Sequence, residues 1–284
     1  MFKHYYKLTK PGMIYGNAIT AAAGFFLASR GHVHGRLLLA TIIGLSLVIA
    51  SGCVFNNIYD RKIDAKMART KRRELARGAI GVRPAFIYGC ILITLGAIDL
   101  YFFANPACLI AALAGFVFYV FLYTPLKHRT AHAALVGAVA GATPPVIGYT
   151  AVTARFDLGA LLLFLMLLFW QMPHFYAIAI RRLNDYIAAG VPVMPARYGL
   201  TSTKIQILLY TFAFLVAAIL LKVYGFTGYV YLIMAMALGV IWLYKDFRGF
   251  KAADNAHWAK NMFLFSLITL TTLSVFIAFG NFLP

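Results

Sequence analysis

Asn56-Asn57-Ile58-Tyr59-Asp60-Arg61-Lys62-Ile63-Asp64 closes a run of more than fifteen mostly apolar residues and opens the most basic segment of the chain. Asn56, Asp60 and Asp64 stand at i, i+4 and i+8. On a helix that spacing stacks three oxygen-bearing side chains along one face. The chain has only eight acidic residues, so two carboxylates on one face need a physical reason. Like charges at i, i+4 cost roughly 0.2–0.5 kcal/mol. The pair also ends its helix, where the macrodipole disfavours carboxylates by roughly 0.3–1 kcal/mol. A divalent cation between them reverses both penalties. Mg²⁺ takes one or two carboxylates and completes its shell with water and substrate phosphate. Asn56, Asp60 and Asp64 are therefore candidate metal ligands. The competing reading is an interfacial ion pair, such as Arg61 with Asp64 at i, i+3.

Composition sets the class. The chain is 62% hydrophobic and 12% charged, with a mean hydropathy of +0.81. These values exclude an ordinary soluble domain and predict an all-α polytopic membrane protein. Cys53, Cys90 and Cys108 lie in or beside apolar runs without metal-ligand spacing, and read as small apolar residues. A net charge of +18 suggests nucleic acid in a soluble protein. Here the charge is confined to short loops, so it reads as membrane topology and phosphate ligands, with no nucleic-acid partner.

Nine apolar spans are expected, at roughly 13–29, 37–59, 84–104, 107–123, 132–153, 158–180, 205–223, 226–244 and 261–282. Each has about the 17–25 residues that cross the hydrocarbon core. A secretory signal is the alternative for the first run, but eight more runs follow it. Of the 26 Lys and Arg, all except Arg30, Arg36, Arg155 and Lys222 fall on one side of this alternation. The positive-inside rule then places the N-terminus inside, in the cytoplasm, and the C-terminus outside. Gly12-Met13-Ile14-Tyr15-Gly16 and Gly137-Ala138-Val139-Ala140-Gly141 are G-x-x-x-G patterns expected to pack helices closely. Thr143-Pro144-Pro145 should kink the fifth span. With no linker or short repeat, residues 1–284 read as one membrane domain.

The loop after the acidic face carries Arg69, Lys71 and Arg73 just beyond the candidate metal ligands. Metal plus Arg and Lys is the usual way to hold a diphosphate. Further along, Tyr123-Thr124-Pro125-Leu126-Lys127-His128 ends the fourth span, and Trp170-Gln171-Met172-Pro173-His174-Phe175 lies in the inner half of the sixth. On the topology above, Asp60, Asp64, Lys127 and Asp185 share one inner face. Ionisable groups at one membrane depth mark a functional site.

At this point the residues carry a resemblance. The Asn-x-x-x-Asp-x-x-x-Asp face, the Arg69-Thr70-Lys71-Arg72-Arg73 segment and nine spans resemble the intramembrane prenyltransferase superfamily. Lys10-Pro11-Gly12, Ser51-Gly52-Cys53-Val54-Phe55-Asn56-Asn57, Pro144-Pro145-Val146-Ile147-Gly148-Tyr149, Trp170 to His174 and Asp185-Tyr186 through Pro195 narrow it to the haem branch, the protohaem IX farnesyltransferases or haem O synthases. The resemblance implies one bundle around a central cavity open to the cytoplasmic side. It implies transfer of a farnesyl group from farnesyl diphosphate to the 2-vinyl group of haem B, with addition of water, giving haem O and diphosphate. On the same pattern Asn56, Asp60 and Asp64 hold Mg²⁺ on the diphosphate. Arg69, Lys71, Arg73 and Lys127 neutralise its oxygens. Asp185 answers to the second acidic motif, beside Tyr186, with Arg181 standing where many relatives have another acid. That arginine argues for contact with phosphate or a haem propionate instead of a second metal. Haem A synthase or terminal oxidase assembly is the implied downstream partner.

Breaking an allylic C–O bond leaves charge on diphosphate, which preorganised cations stabilise. A dry cavity protects the allylic cation from water. Tyr59, Tyr123, Trp170, Phe175 and Tyr186 are candidate cation-facing rings, although an interfacial aromatic belt accounts for many such residues. His174, after a proline in an apolar span, either ligates or orients haem iron or hydrogen-bonds a neighbouring carbonyl. Two other functions fit the composition: prenylation of a quinone-type aromatic acceptor, and a secondary transporter. Transporters place ionisable groups near the midplane on broken helices, whereas here they gather at one rim.

Overall fold

A computed structural model describes residues 2–67 and 70–280. A short helix, α1 (Phe2–Leu8), precedes α2 (Pro11–Ser29), α3 (Gly35–Asp64) and α4 (Val82–Phe103). The fourth span is α5 (Pro106–Val117), a π-helical stretch at Phe118–Tyr123 and a single turn, α6 (Thr124–Leu126). The fifth is α7 (Ala133–Gly141) followed by α8 (Thr143–Thr153). Next come α9 (Leu158–Arg181), the short α10 (Leu183–Ala188), α11 (Met194–Val223), α12 (Tyr229–Gly249) and α13 (Asn255–Phe279). Among the described residues nine helical segments are long and apolar enough to span a membrane, as the apolar runs predict. Large side chains such as Phe102, Phe103 and Phe121 are exposed on the outside, where lipid replaces water as solvent. The three cysteines are free thiols.

Local chemistry explains where the helices bend. Pro144 and Pro145 sit in the first turn of α8, where missing N–H groups cost nothing. The kink predicted there therefore falls at Ala142, between α7 and α8. Pro125 cannot donate to the carbonyl one turn back, and the helix ahead of it widens into the π turn. The seventh span starts earlier than predicted. Pro195 sits in the first turn of α11, and Gly199 (φ 83°) breaks the helix once before the apolar run. Arg197 and Lys204 thus belong to α11 and not to a loop. Lys204 is buried, and its Nζ donates to the Gly249 carbonyl (2.7 Å) and Asn255 Oδ1 (2.5 Å).

Small residues decide the closest helix contact, though not the ones the G-x-x-x-G spacing selects. α2 packs extensively on α8. A Cβ on Gly148 would lie 1.8 Å from the Ala21 carbonyl oxygen, and one on Gly24 would lie 2.0 Å from that of Pro145. Gly137 and Gly141 do pack, against Tyr123 and Gln171. Gly12 and Gly16 touch no neighbouring helix and instead line the central cavity. Their spacing therefore does not serve helix packing as expected.

The N-terminal helix is latched to the basic loop. Glu74 is buried and takes His4 Nδ1 (3.3 Å), Arg77 Nη2 (3.2 Å) and Lys7 Nζ (3.6 Å). Burial pushes its carboxyl up. The hydrogen bond from His4 and the charges of Lys7 and Arg77 outweigh that and hold it below the usual range. Beneath, Leu8 packs in an apolar cluster with Ala50, Val54, Leu75, Ile80, Ala85 and Leu92.

Two outcomes follow. Gly148→Ala should lower the thermal midpoint in detergent, by an overpacking cost of about 1–3 kcal/mol, while Gly16→Ala should leave it unchanged; size-exclusion after a heat step reads both. Glu74→Gln should release α1, seen as faster amide exchange in residues 3–8 with exchange in α9 unaltered.

Candidate active site

A cavity of about 710 Å³ runs into the bundle, within the roughly 300–1,000 Å³ usual for small-molecule sites. α2, α3, the α5–α6 span, α7–α8, α9 and α13 form its wall. Among the described residues α4 and α12 contribute nothing to it, and α11 only Met194. The cavity has two chemically distinct ends. One is the rim where α3 finishes. The other is an apolar chamber bounded by residues such as Leu45, Ile147, Leu167, Trp170, Leu267 and Leu270.

At the rim α3 presents Asn56, Asp60 and Asp64 in a column, and all three are buried. Helical periodicity puts them on one side, and the small residues Gly52 and Cys53 leave room above them. Asp60 takes Lys127 Nζ on one oxygen and His128 Nε2 on the other, at 3.0 Å. Both carboxylate oxygens of Asp64 accept from Arg73 Nη1, at 2.9 and 2.8 Å. Asp64 therefore does not use Arg61, whose guanidinium donates to the Ile58 carbonyl instead. The interfacial pair Arg61–Asp64 is not formed. Asn56 Oδ1 accepts from Lys10 Nζ (2.6 Å), and its amide donates to Thr124 Oγ1 (3.0 Å). Thr124 in turn donates to the Tyr119 carbonyl, left in reach by the π turn (2.8 Å). Asn57 donates to the Leu8 carbonyl (2.9 Å), tying α1 to the same stretch of α3.

Lys10 and His128 join the site although the motifs that contain them assign them no role. Lys10 has a left-handed backbone (φ 52°, ψ 67°), rare outside glycine. Pro11 bars Lys10 from an ordinary helical conformation. The resulting bend between α1 and α2 carries the ammonium into the cavity. Burial pushes it down to about 8, against the partial compensation of nearby Asp60. Burial lowers the Lys127 ammonium as well, although Asp60 works in the opposite direction. The signal available in sequence was a lysine directly before the helix-starting Pro11. His128 is held by Asp60 and by stacking on Tyr59, with centroids 5.6 Å apart.

The remaining predicted residues separate. Arg73 and Lys127 converge on the carboxylates. Lys71 is exposed and off the cavity wall. Arg69 lies outside the described residues. Asp185 is half-buried on α10 and does not line the cavity; its carboxylate lies 3.8 Å from Arg182 Nη1. Tyr186, Arg181 and Arg182 do line it. So do Tyr123, Trp170 and Phe175, whereas Tyr59 faces outward. His174 reaches the cavity wall from α9 and hydrogen-bonds the Ser266 hydroxyl, not a carbonyl.

Among the described residues no three His, Cys, Asp or Glu side chains gather as a metal cage. Two carboxylates and an amide oxygen suit Mg²⁺ that also binds substrate phosphate, and are too few for a closed protein site. Around them Lys10, Arg73 and Lys127 outnumber the carboxylates, leaving a surplus positive charge at the mouth of an apolar cavity. Such a site attracts an anion with an apolar tail.

Comparison with known proteins agrees with this geometry. Residues 17–268 match the model of the UbiA prenyltransferase family. The chain is 52% identical over 274 residues to "Protoheme IX farnesyltransferase 2" of Pseudomonas fluorescens, covering 96% of this chain and 93% of that protein. It is 51% identical over 274 residues to the protoheme IX farnesyltransferase of Pseudomonas savastanoi, with the same coverage. Among solved structures it resembles a UbiA homolog from Archaeoglobus fulgidus bound to DMAPP and Mg²⁺, with TM-score 0.75, 15% identity, and 96% and 98% of the two chains covered. The chain belongs to the UbiA prenyltransferase family, in its protoheme IX farnesyltransferase branch.

Proposed function

We propose that the protein transfers a farnesyl group from farnesyl diphosphate to the 2-vinyl group of haem B, with addition of water, giving haem O and diphosphate. The observation that carries this reading is a single cavity joining the paired-carboxylate rim to an apolar, aromatic-walled chamber. One end suits a diphosphate; the other suits an isoprenoid chain and a porphyrin. The names of the curated relatives support haem B as acceptor, and the Mg²⁺ and DMAPP of the Archaeoglobus fulgidus structure support the diphosphate end.

In this reading Asn56, Asp60 and Asp64 hold Mg²⁺. When bound, the ion neutralises charge on the diphosphate and so makes it a better leaving group. Lys127 and Arg73 pair with the carboxylates. With cation and substrate present they would turn to phosphate oxygens, as would Lys10, which here holds Asn56. One surplus positive charge plus a divalent ion matches an ionised allylic diphosphate. The C1–O bond breaks and its electron pair leaves with the diphosphate. The vinyl terminal carbon bonds C1, and the carbon beside the porphyrin takes water and loses a proton. Tyr119, Tyr123 and Trp170 line the path. Their faces can stabilise the allylic cation by about 0.5–2 kcal/mol per well-placed ring, and the surrounding walls keep bulk water out. Tyr186 and Arg181 close the rim near the acceptor. Asp185 acts from behind this wall by holding Arg182. Lys71, exposed and off the cavity wall, extends the positive field outside it.

The reading treats the chain as one membrane-embedded unit in a bacterial inner membrane, with the N-terminus cytoplasmic and the C-terminus periplasmic, an orientation the charge asymmetry supports. Its lipid-soluble product would pass to haem A synthase or to terminal oxidase assembly.

Expression in a host lacking this activity should yield a late-eluting, farnesyl-bearing haem on reversed-phase chromatography of extracted haems. Asp60→Ala and Asp64→Ala should each lower kcat/KM by at least about 100-fold, and chelation of divalent ions should stop turnover. Lys10→Ala, losing a charge-assisted contact of about 1.5–3 kcal/mol, should lower kcat/KM for farnesyl diphosphate roughly ten- to hundredfold. Unmodified haem B alongside a prenylated quinone precursor would contradict the acceptor assignment.

A further inference from the structure

His174 occupies a setting its hydrogen bonds define. Its Nδ1 lies 2.7 Å from Ser266 Oγ. Ser266 is fully buried, and its hydroxyl donates to the Phe263 carbonyl at 2.7 Å. A hydroxyl has one hydrogen. With that hydrogen given to Phe263, Ser266 can only accept from His174, so Nδ1 carries the imidazole proton. Nε2 is then an unprotonated lone pair, and among the described residues it has no hydrogen-bond partner. The ring is clamped between Trp170, stacked at 4.8 Å and 23°, and Phe263 at 4.9 Å and 34°. Trp170 is itself fixed by donating to the Ser266 carbonyl (2.9 Å). The faces and the Nδ1 edge are thus occupied, and the edge bearing Nε2 is what remains for the cavity that His174 lines.

We infer that His174 is the axial ligand of the acceptor's haem iron, through Nε2, with Ser266 fixing the ring tautomer. The inference rests on haem B being the acceptor. Histidines that ligate metals donate their other ring N–H to a fixed acceptor, which sets the tautomer and raises the basicity of the ligating nitrogen. Neutral imidazole is a common axial ligand of haem. A second observation fits the porphyrin. Arg181 stands seven residues on, on the same face of α9, about 10 Å towards the rim by helical rise. It lines the cavity, and no carboxylate among the described residues pairs with it. That offset is close to the reach from haem iron to its propionates, so one helix face would hold both the iron and a propionate. The other histidine on the cavity wall, His128, is committed to Asp60.

The test binds ferric haem B to the purified full chain in detergent and records electronic and EPR spectra, then resonance Raman spectra of the ferrous form. The wild type should show a nitrogenous axial ligand, with an iron–histidine band that shifts when the protein carries ¹⁵N-histidine. His174→Gly should convert the ferric haem to a water-ligated high-spin form, weaken its binding about tenfold or more, and recover the nitrogen-ligated spectrum with added imidazole. Ser266→Ala should keep the ligand but move the iron–histidine band, a change that loss of packing alone would not produce. If His174→Gly does not fold, an isotope-insensitive wild-type band overturns the inference. So does an unchanged spectrum in His174→Gly, or loss of the nitrogen ligand only in His128→Ala. Haem O formed by a protein without a nitrogen ligand overturns the coordination alone; neither haem binding nor haem O overturns the acceptor reading as well.

Discussion

Two carboxylates buried at the C-terminal end of one helix are the constraint that the rest of the rim answers. Asp60 and Asp64 repel each other and face the negative end of α3. Out of water, an unpaired carboxylate is untenable. The fold therefore brings cations to them from three separate segments. Lys127 and His128 arrive from the end of the fourth span and Arg73 from the basic loop. Lys10 comes from the α1–α2 bend, by way of Asn56. Only Arg73 belongs to the segment that follows α3 in sequence. Holding them requires the proline-widened turn before Lys127, the left-handed backbone of Lys10 and the Glu74 latch under the loop. The functional charge and the rim's architecture are thus the same set of interactions.

The arrangement also explains how a membrane protein can hold a charged site at the edge of its bundle. The cations pair with the carboxylates, so the rim is nearly self-compensated. The exchange proposed for catalysis swaps these pairs for a metal on the carboxylates and phosphate on the cations. Each charged group keeps a counter-charge throughout, and no step leaves one bare in a low dielectric. Beyond the rim the walls become apolar and aromatic. Among the polar groups there, Gln171 is held by the Ala138 and Leu167 carbonyls, and the His174–Ser266 pair is directional.

Much of this was legible in the sequence because lipid imposes simple rules. Spans show themselves by length and hydropathy, and the Asn56–Asp60–Asp64 column follows from helical periodicity alone. The family resemblance pointed to Lys127, and a position after a proline in an apolar span pointed to His174, before their partners were visible. What could not be read depends on backbone direction. Lys10 looks like one more basic residue near the N-terminus until its left-handed conformation turns it inward. Gly12 and Gly16 carry the same spacing as Gly137 and Gly141, yet one pair opens a cavity and the other seats side chains; spacing does not say what lies opposite. Lys204 reads as a loop charge because polar residues dilute the start of α11, whereas the chain buries it on a carbonyl. Asp185 was expected at the same inner face as Asp60 but does not line its cavity, since a shared depth would constrain one coordinate only.

The most direct measurement is a structure of the protein with Mn²⁺ and an unreactive thio-analogue of farnesyl diphosphate, using anomalous scattering to place metal and phosphorus. The account predicts Mn²⁺ on Asp60 and Asp64, with both phosphorus atoms between that ion and Lys10, Arg73 and Lys127, and the isoprenoid running into the chamber beside Trp170. Phosphorus located instead against α10 and Asp185, with Asp60 still paired to Lys127, would contradict it.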